Sequence, residues 1–190
     1  MYAADLKRFS SALDGQFACP LCLRVIAPGA SLADQVAEEH VVPETLGGRL
    51  TTLTCRQCNN SAGAELEAHL VQRVLIDARK RPVEAIVDIG GAVHRAEVHF
   101  PGSAADGFRI FGIPKQSDLR QVAEAQRLLS EGANEIRLRL NFGYVVLRTA
   151  AALVRSAYLL MFRNFGYRYV LDPSAAVIRD HLADPLKETG

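Results

Sequence analysis

Four cysteines arranged in two pairs constrain the fold of this chain more than any other feature. Cys19 and Cys22 form one Cys-x-x-Cys pair, and Cys55 and Cys58 form the other. Each spacing lets two thiolates turn toward one ion, and four sulfurs complete a tetrahedral zinc site with no open position. A redox-active Cys-x-x-Cys pair would not need a second such pair, and cysteines that only fill the core would not be expected in two pairs at this spacing. We therefore expect a structural zinc ion that staples a turn-rich segment.

The composition indicates the cellular compartment of the protein but does not identify its binding partner. No apolar run reaches the roughly 20 residues that span a bilayer, and the N-terminal residues lack the apolar core of a signal peptide. We therefore expect a cytoplasmic protein with no membrane partner, in a compartment that keeps thiols reduced. The formal net charge is +1, which is little for a nucleic-acid binder, so any basic surface must be local.

Between the cysteine pairs lies a short acidic segment with a histidine, Glu38-Glu39-His40, followed by Pro43 and a Gly-Gly pair. Phosphodiester hydrolysis needs a base to deprotonate water and a cation to stabilise the phosphate charge. A neutral imidazole suits the base role at physiological pH. A carboxylate and a second imidazole can hold one divalent ion and leave positions open. His69, on a helix predicted after residues 59–61, offers that second imidazole.

In order and spacing, these pieces resemble the HNH endonuclease family, in the subgroup whose Cys-x-x-Cys pairs bracket a ββα-metal core. The resemblance covers about residues 17–75 and implies an α+β fold with a treble-clef-like ββα zinc finger. It implies that His40 is the general base, that Glu39 and His69 hold a catalytic Mg²⁺ or Mn²⁺ ion, and that Asn60 orients the base. It also implies a DNA substrate cleaved to a 5′-phosphate and a 3′-hydroxyl.

Several assignments within this resemblance stay open. Glu38 is the alternative metal ligand, because it shares a strand face with His40 and Glu39 does not. Asn60 is preferred to Asn59 because it stands nine residues before His69. Where some relatives have another histidine this chain has Arg73, which suits a phosphate contact. RNA as substrate and a homodimer are both left open, as is a non-catalytic zinc finger that binds nucleic acid or protein.

We expect residues 1–82 to form the zinc-stapled nuclease module and residues 83–190 a small α+β domain that recognises the target. The second part is predicted to contain a β-hairpin around Gly90-Gly91, a helix over 117–130, a strand over 135–142 and an apolar helix over 149–166. Arg155 and Arg163 interrupt that apolar helix. Three alternatives are open for each of these arginines: it extends to water, it pairs with a buried carboxylate, or it contacts a phosphate.

Overall fold

The computed structural model describes residues 6–27, 29, 32–101 and 107–187. It confirms the expected α+β class. Its strands are β1 Phe17–Ala18, β2 Val25–Ile26, β3 Val36–His40, β4 Thr51–Cys55, β5 Val83–Ile89, β6 Ala92–His99, β7 Arg109–Gly112 and β8 Arg137–Asn141. Its α-helices are α1 Leu32–Gln35, α2 Arg56–Ala62, α3 Ala68–Asp77, α4 Leu119–Ser130, α5 Val146–Phe165, α6 Tyr167–Val170 and α7 Pro173–Ala183. A π-helical segment, Gly63–Glu67, joins α2 to α3. Within these ranges no helix combines the length and apolarity that crossing a bilayer requires.

The chain divides into two compact units, and the first is discontinuous. It consists of residues 1–71 together with 144–190, whereas the second consists of residues 72–143. This division differs from the boundary expected at residue 82, because the C-terminal helices pack with the cysteine-bearing segment. The core of the first unit joins Phe17 and Ile26 to Tyr158 and Phe162 of α5. Tyr167 also belongs to this core. Its buried hydroxyl accepts a hydrogen bond from the N–H of Ala18 and donates one to the carbonyl of Ala18.

Two hairpins and a helix build the first half of that unit. β1 and β2 pair across the loop that carries the first cysteine pair, and Leu23 adopts a positive φ in its turn. β3 pairs with β4 in antiparallel register, with Glu39 opposite Thr52 and His40 opposite Thr51. α2 follows β4 directly at Arg56. The expected ββα order is therefore present, but the helix begins before the predicted start after residues 59–61.

The second unit is a four-stranded antiparallel sheet with one helix against it. The strand order is β7-β6-β5-β8, and the β5–β6 turn uses Gly90 and Gly91, both at positive φ. Alternate residues of β5 are buried, among them Val87, and they pack in one core with Ala125 of α4. The predicted hairpin, helix and final strand of this region are all formed.

Candidate functional site

The four cysteines of the two pairs meet at one point. Their sulfur atoms all lie within 4.8 Å of one another, and the sulfurs of Cys22 and Cys55 are 3.7 Å apart. Zinc–sulfur bonds of about 2.3 Å in a tetrahedron place the sulfurs about 3.8 Å apart, whereas a disulfide requires roughly 2.05 Å. The cysteines are all free thiols. Their geometry fits a zinc ion, so they form a possible zinc site.

The local electrostatics also suit a bound cation. The backbone N–H of Cys55 donates to the sulfur of Cys19 at 3.3 Å. A hydrogen bond from the Cys58 thiol, helped by backbone donors and opposed by burial, lowers the pKa of Cys19 to about 5. Burial raises the pKa of Cys22 to about 11, and the bond to Cys19 followed by burial raises the pKa of Cys58. One thiolate thus forms readily, and a metal ion would replace the protons on the others.

A separate cleft of about 450 Å³ lies at the end of β3. Its lining residues include Glu38, Glu39, His40, Asn59 and Glu67. In the β3–β4 ladder, Glu38 and His40 share one face, and Glu39 lies on the other. Glu38 is exposed and accepts a hydrogen bond of 2.6 Å from the Thr51 hydroxyl. The cleft therefore gathers one imidazole, one amide and four carboxylates around the turn that follows β3, the fourth carboxylate being that of Glu44.

Two of these carboxylates are joined by an arginine from α5. Nη1 of Arg155 donates to Glu39 at 2.6 Å and to Glu67 at 3.0 Å. Glu39 and Arg155 are each only 3% exposed, and Oε2 of Glu39 has no hydrogen-bond partner among the described residues. Burial raises the pKa of Glu67, the charge of Glu39 adds to the rise, and Arg155 opposes it. One positive charge thus faces two acids, which leaves a net negative charge when both are ionised.

His69 lies elsewhere, beside the start of α5. Its Nδ1 accepts a hydrogen bond from the backbone N–H of Val145 at 3.2 Å, and its Nε2 is 3.4 Å from Nη1 of Arg148. Burial lowers the pKa of His69, and the Arg148 charge adds to this effect. When Nδ1 accepts, Nε2 of the neutral ring carries the proton. Neither nitrogen then has a free lone pair for a metal ion.

The structure therefore does not bring together the one acid and the two imidazoles expected from the sequence. In the part of the chain that is described, the one group of three or more Cys, His, Asp or Glu side chains close enough to hold a metal is the cysteine cluster. Glu39 and His40 line the cleft, but His69 does not. Asn60 is exposed and is absent from the lining, whereas its neighbour Asn59 takes part in it.

The three arginines proposed as phosphate contacts occupy different environments. Arg73 is exposed and pairs with Asp77 one turn further along α3. Arg163 is exposed and donates to the carbonyl of Thr51. Arg155 is buried in the ion-pair triad, which is the carboxylate-pairing alternative foreseen for it. Sequence reasoning missed Glu67 as a partner of Arg155, although pairing with a buried carboxylate was one of the alternatives stated for that arginine.

Comparison with known proteins agrees with the sequence resemblance. Residues 30–75 match the family model of the HNH endonucleases. The matched range contains β3, β4, α2 and the residues that line the cleft, together with the second cysteine pair. Neither the curated proteins nor the solved structures provide a match. The resemblance to HNH endonucleases is thereby confirmed for this segment.

Proposed function

Because residues 30–75 are an HNH endonuclease segment, we propose that the protein is a metal-dependent endonuclease that hydrolyses DNA phosphodiester bonds. The observation that carries the proposal is the cleft at the end of β3, where His40 stands beside Glu39 and Glu67 within the matched range. A nucleic-acid substrate follows from the family. The hydrolytic chemistry follows from an imidazole base placed next to acidic groups.

His40 is the general base of the proposed reaction. It ends β3 and is half-buried, so its ring reaches the cleft from a rigid strand and not from a loop. A neutral imidazole can accept the proton of the attacking water at physiological pH. Asn59, half-buried in the same cleft, replaces Asn60 in our proposal as the amide that orients groups near the base.

A catalytic divalent ion would be held by oxygen ligands of the cleft. Mg²⁺ and Mn²⁺ prefer carboxylate and water oxygens, and Glu39 and Glu67 offer them, with Glu38 as the alternative on the face of His40. When bound, such an ion stabilises the negative charge of the phosphate and of the leaving oxygen. Glu67 takes the helix-side position for which the sequence had suggested His69, because Nδ1 of His69 accepts a hydrogen bond from Val145 and the ring does not line the cleft.

Arg155 is proposed to position the two carboxylates. Its guanidinium fixes Glu39 from β3 and Glu67 from the π-helical segment at 2.6 and 3.0 Å. It neutralises one of their two charges, so a cation in the cleft would meet a net negative site that is already ordered. The cysteine cluster is proposed to bind zinc in a purely structural role, since four thiolates leave no open position.

Plasmid cleavage tests the proposal. The intact zinc-loaded protein would be incubated with supercoiled DNA in Mg²⁺, in Mn²⁺ and in buffer to which neither ion is added. We expect cleavage with either ion and none when both are omitted, and we expect His40→Ala to lower the rate by roughly 10²–10⁴-fold. His181→Ala, a histidine on α7 outside the cleft, is the matched control and should cleave like wild type.

Two results would contradict the proposal. Cleavage by His40→Ala at the wild-type rate would remove the base from the mechanism. DNA binding without any cleavage by the wild type, in either metal, would instead identify a zinc finger that binds nucleic acid without hydrolysing it.

A further inference from the structure

Helix α5 has a large apolar surface that no part of the described chain covers. Over 20 residues it is about 30 Å long, at 1.5 Å per residue. One side carries the exposed side chains Val146, Leu147, Leu153, Leu160, Met161 and Phe165, which we call the α5 stripe. Val146, Leu147, Leu153 and Phe165 are 62%, 56%, 55% and 57% exposed. Exposure of this size along a whole helix is unusual for apolar residues.

The α5 stripe contains no charged residue. At 100° per residue, its members fill an arc of about 140° in which the remaining positions are Ala150, Val154, Ala157 and Asn164. Arg148, Arg155 and Arg163 all lie outside this arc. The opposite face is buried in the core of the first unit through Tyr158, Leu159 and Phe162. α5 thus has two apolar faces, of which one is buried in the core and the other, the α5 stripe, is exposed.

The size of the α5 stripe suits a protein interface. Its exposed fractions correspond to roughly 600 Å² of apolar surface, which reaches the upper end of what a monomer exposes. A stable interface buries about 800 Å² on each partner, and its rim supplies polar surface in addition to the apolar centre. Ala150 and Ala157, both exposed, form low points between the large side chains, so ridges of a second helix can pack there.

We propose that the α5 stripe is the interface of a two-fold homodimer. An uncharged stripe can face a copy of itself with no like-charge repulsion, and it carries no charge pattern that would select an oppositely charged partner. Two-fold dimers are the commonest symmetric assemblies, and their interfaces are self-complementary in this way. The occupant of the stripe is therefore a second copy of this chain, packed helix against helix.

The dimer also predicts how DNA is cut, a consequence that rests on the proposed function. Arg155 leaves α5 on the side away from the stripe to reach Glu39 and Glu67, so dimerisation leaves both clefts open. The two strands of a DNA duplex are antiparallel and related by two-fold axes. A two-fold dimer therefore presents an identical cleft to each strand, and it should cut both strands where a monomer would nick one.

Sedimentation and light scattering on the full-length protein test the interface without any assay of activity. We expect the wild type to be a dimer at micromolar concentration. The double variant Leu153→Glu/Leu160→Glu should weaken association at least about 100-fold, because both new charges would be buried against apolar surface. Leu119→Glu is the matched control. Leu119 is an exposed leucine on α4 of the second unit, and its variant should remain dimeric.

Zinc content and thermal unfolding establish that each variant is folded. A wild type that stays monomeric throughout the micromolar range would overturn the dimer, as would a stripe variant that associates as tightly as the wild type. In the plasmid assay, the folded monomeric variant should still nick but should lose linear product relative to Leu119→Glu. Failure of all variants and the wild type to cleave would refute the proposed function while the association data still decide the dimer.

Discussion

Replacement of Arg155 by methionine probes the ion-pair triad of the cleft. Methionine keeps much of the length and packing of the arginine stem but removes the guanidinium that bonds Glu39 at 2.6 Å and Glu67 at 3.0 Å. Glu39 is 3% exposed and already has one carboxylate oxygen without a partner among the described residues. The variant would therefore leave a buried negative charge without its countercharge.

Removal of one partner from a buried ion pair costs about 3–5 kcal/mol. A domain of ordinary stability has about 5–15 kcal/mol in total, so we expect Arg155→Met to lose a large part of its free energy of unfolding. Urea denaturation of zinc-loaded protein at neutral pH measures this loss as a lower midpoint with an unchanged slope. Arg163→Met is the control on the same helix. Its exposed side chain donates one hydrogen bond to the Thr51 carbonyl, so its loss should be about 1 kcal/mol or less.

The double variant Arg155→Met/Glu39→Gln separates charge from packing. If the loss in Arg155→Met comes from the uncompensated Glu39 carboxylate, a neutral amide at that position should restore a large share of the lost stability. A loss below about 1 kcal/mol in Arg155→Met, or no recovery in the double variant, would refute the reasoning that the triad is a tightly coupled buried charge cluster.

Three further predictions concern pH and metal. Because burial raises the pKa of Glu67, stability should fall as pH rises above about 4.5, and Glu67→Gln should remove that part of the pH dependence in urea melts. Because burial and Arg148 lower the pKa of His69, its stabilising contribution should be present above about pH 6.5 and lost as pH falls below it. His69→Phe should lack this acid-side loss, and an unchanged profile would contradict the lowered pKa of His69. Removal of zinc by a strong chelator, or Cys22→Ser, should lower the melting temperature and expose reactive thiols, as a thiol titration would measure.

Short-range spacing explains what the sequence predicted well. Each Cys-x-x-Cys pair is a local spacing, one in the β1–β2 turn and the other where β4 passes into α2, and the β5–β6 hairpin depends on local alternation and turn residues. These patterns need little knowledge of the rest of the chain. The helix α5 was also predictable, because its apolar residues and its stop at Gly166 are local signals.

The position of the His69 side chain was harder to predict because the helix is not regular. The resemblance placed His69 on a helix predicted after residues 59–61, but the structure has a π-helical segment at Gly63–Glu67 before His69. A π turn contains an extra residue, so it rotates all following side chains by about 100° relative to a continuous α-helix. Glu67 then faces Glu39 and Arg155, whereas His69 faces the start of α5.

Contacts between residues distant in sequence explain why the partner of Arg155 and the boundary between the two units were not predicted. Arg155 is separated from Glu39 by 116 residues, and no local pattern tells which buried acid an arginine within an apolar helix will meet. The same packing makes the first unit discontinuous, because α5 to α7 return to the cysteine-bearing segment after the sheet of the second unit is complete. A boundary placed at residue 82 on local sequence character cannot show that the C-terminal helices belong to the first unit.

Chemical rescue of His40→Ala by imidazole tests the central claim most directly. The folded, zinc-loaded variant would be assayed on supercoiled plasmid in Mg²⁺ with increasing imidazole. If His40 is the general base, imidazole should restore part of the lost rate, and the restored rate should rise with the fraction of neutral imidazole as pH increases. A variant that cleaves at the wild-type rate without imidazole, or one whose deficient rate does not respond to imidazole at any pH, would contradict the account.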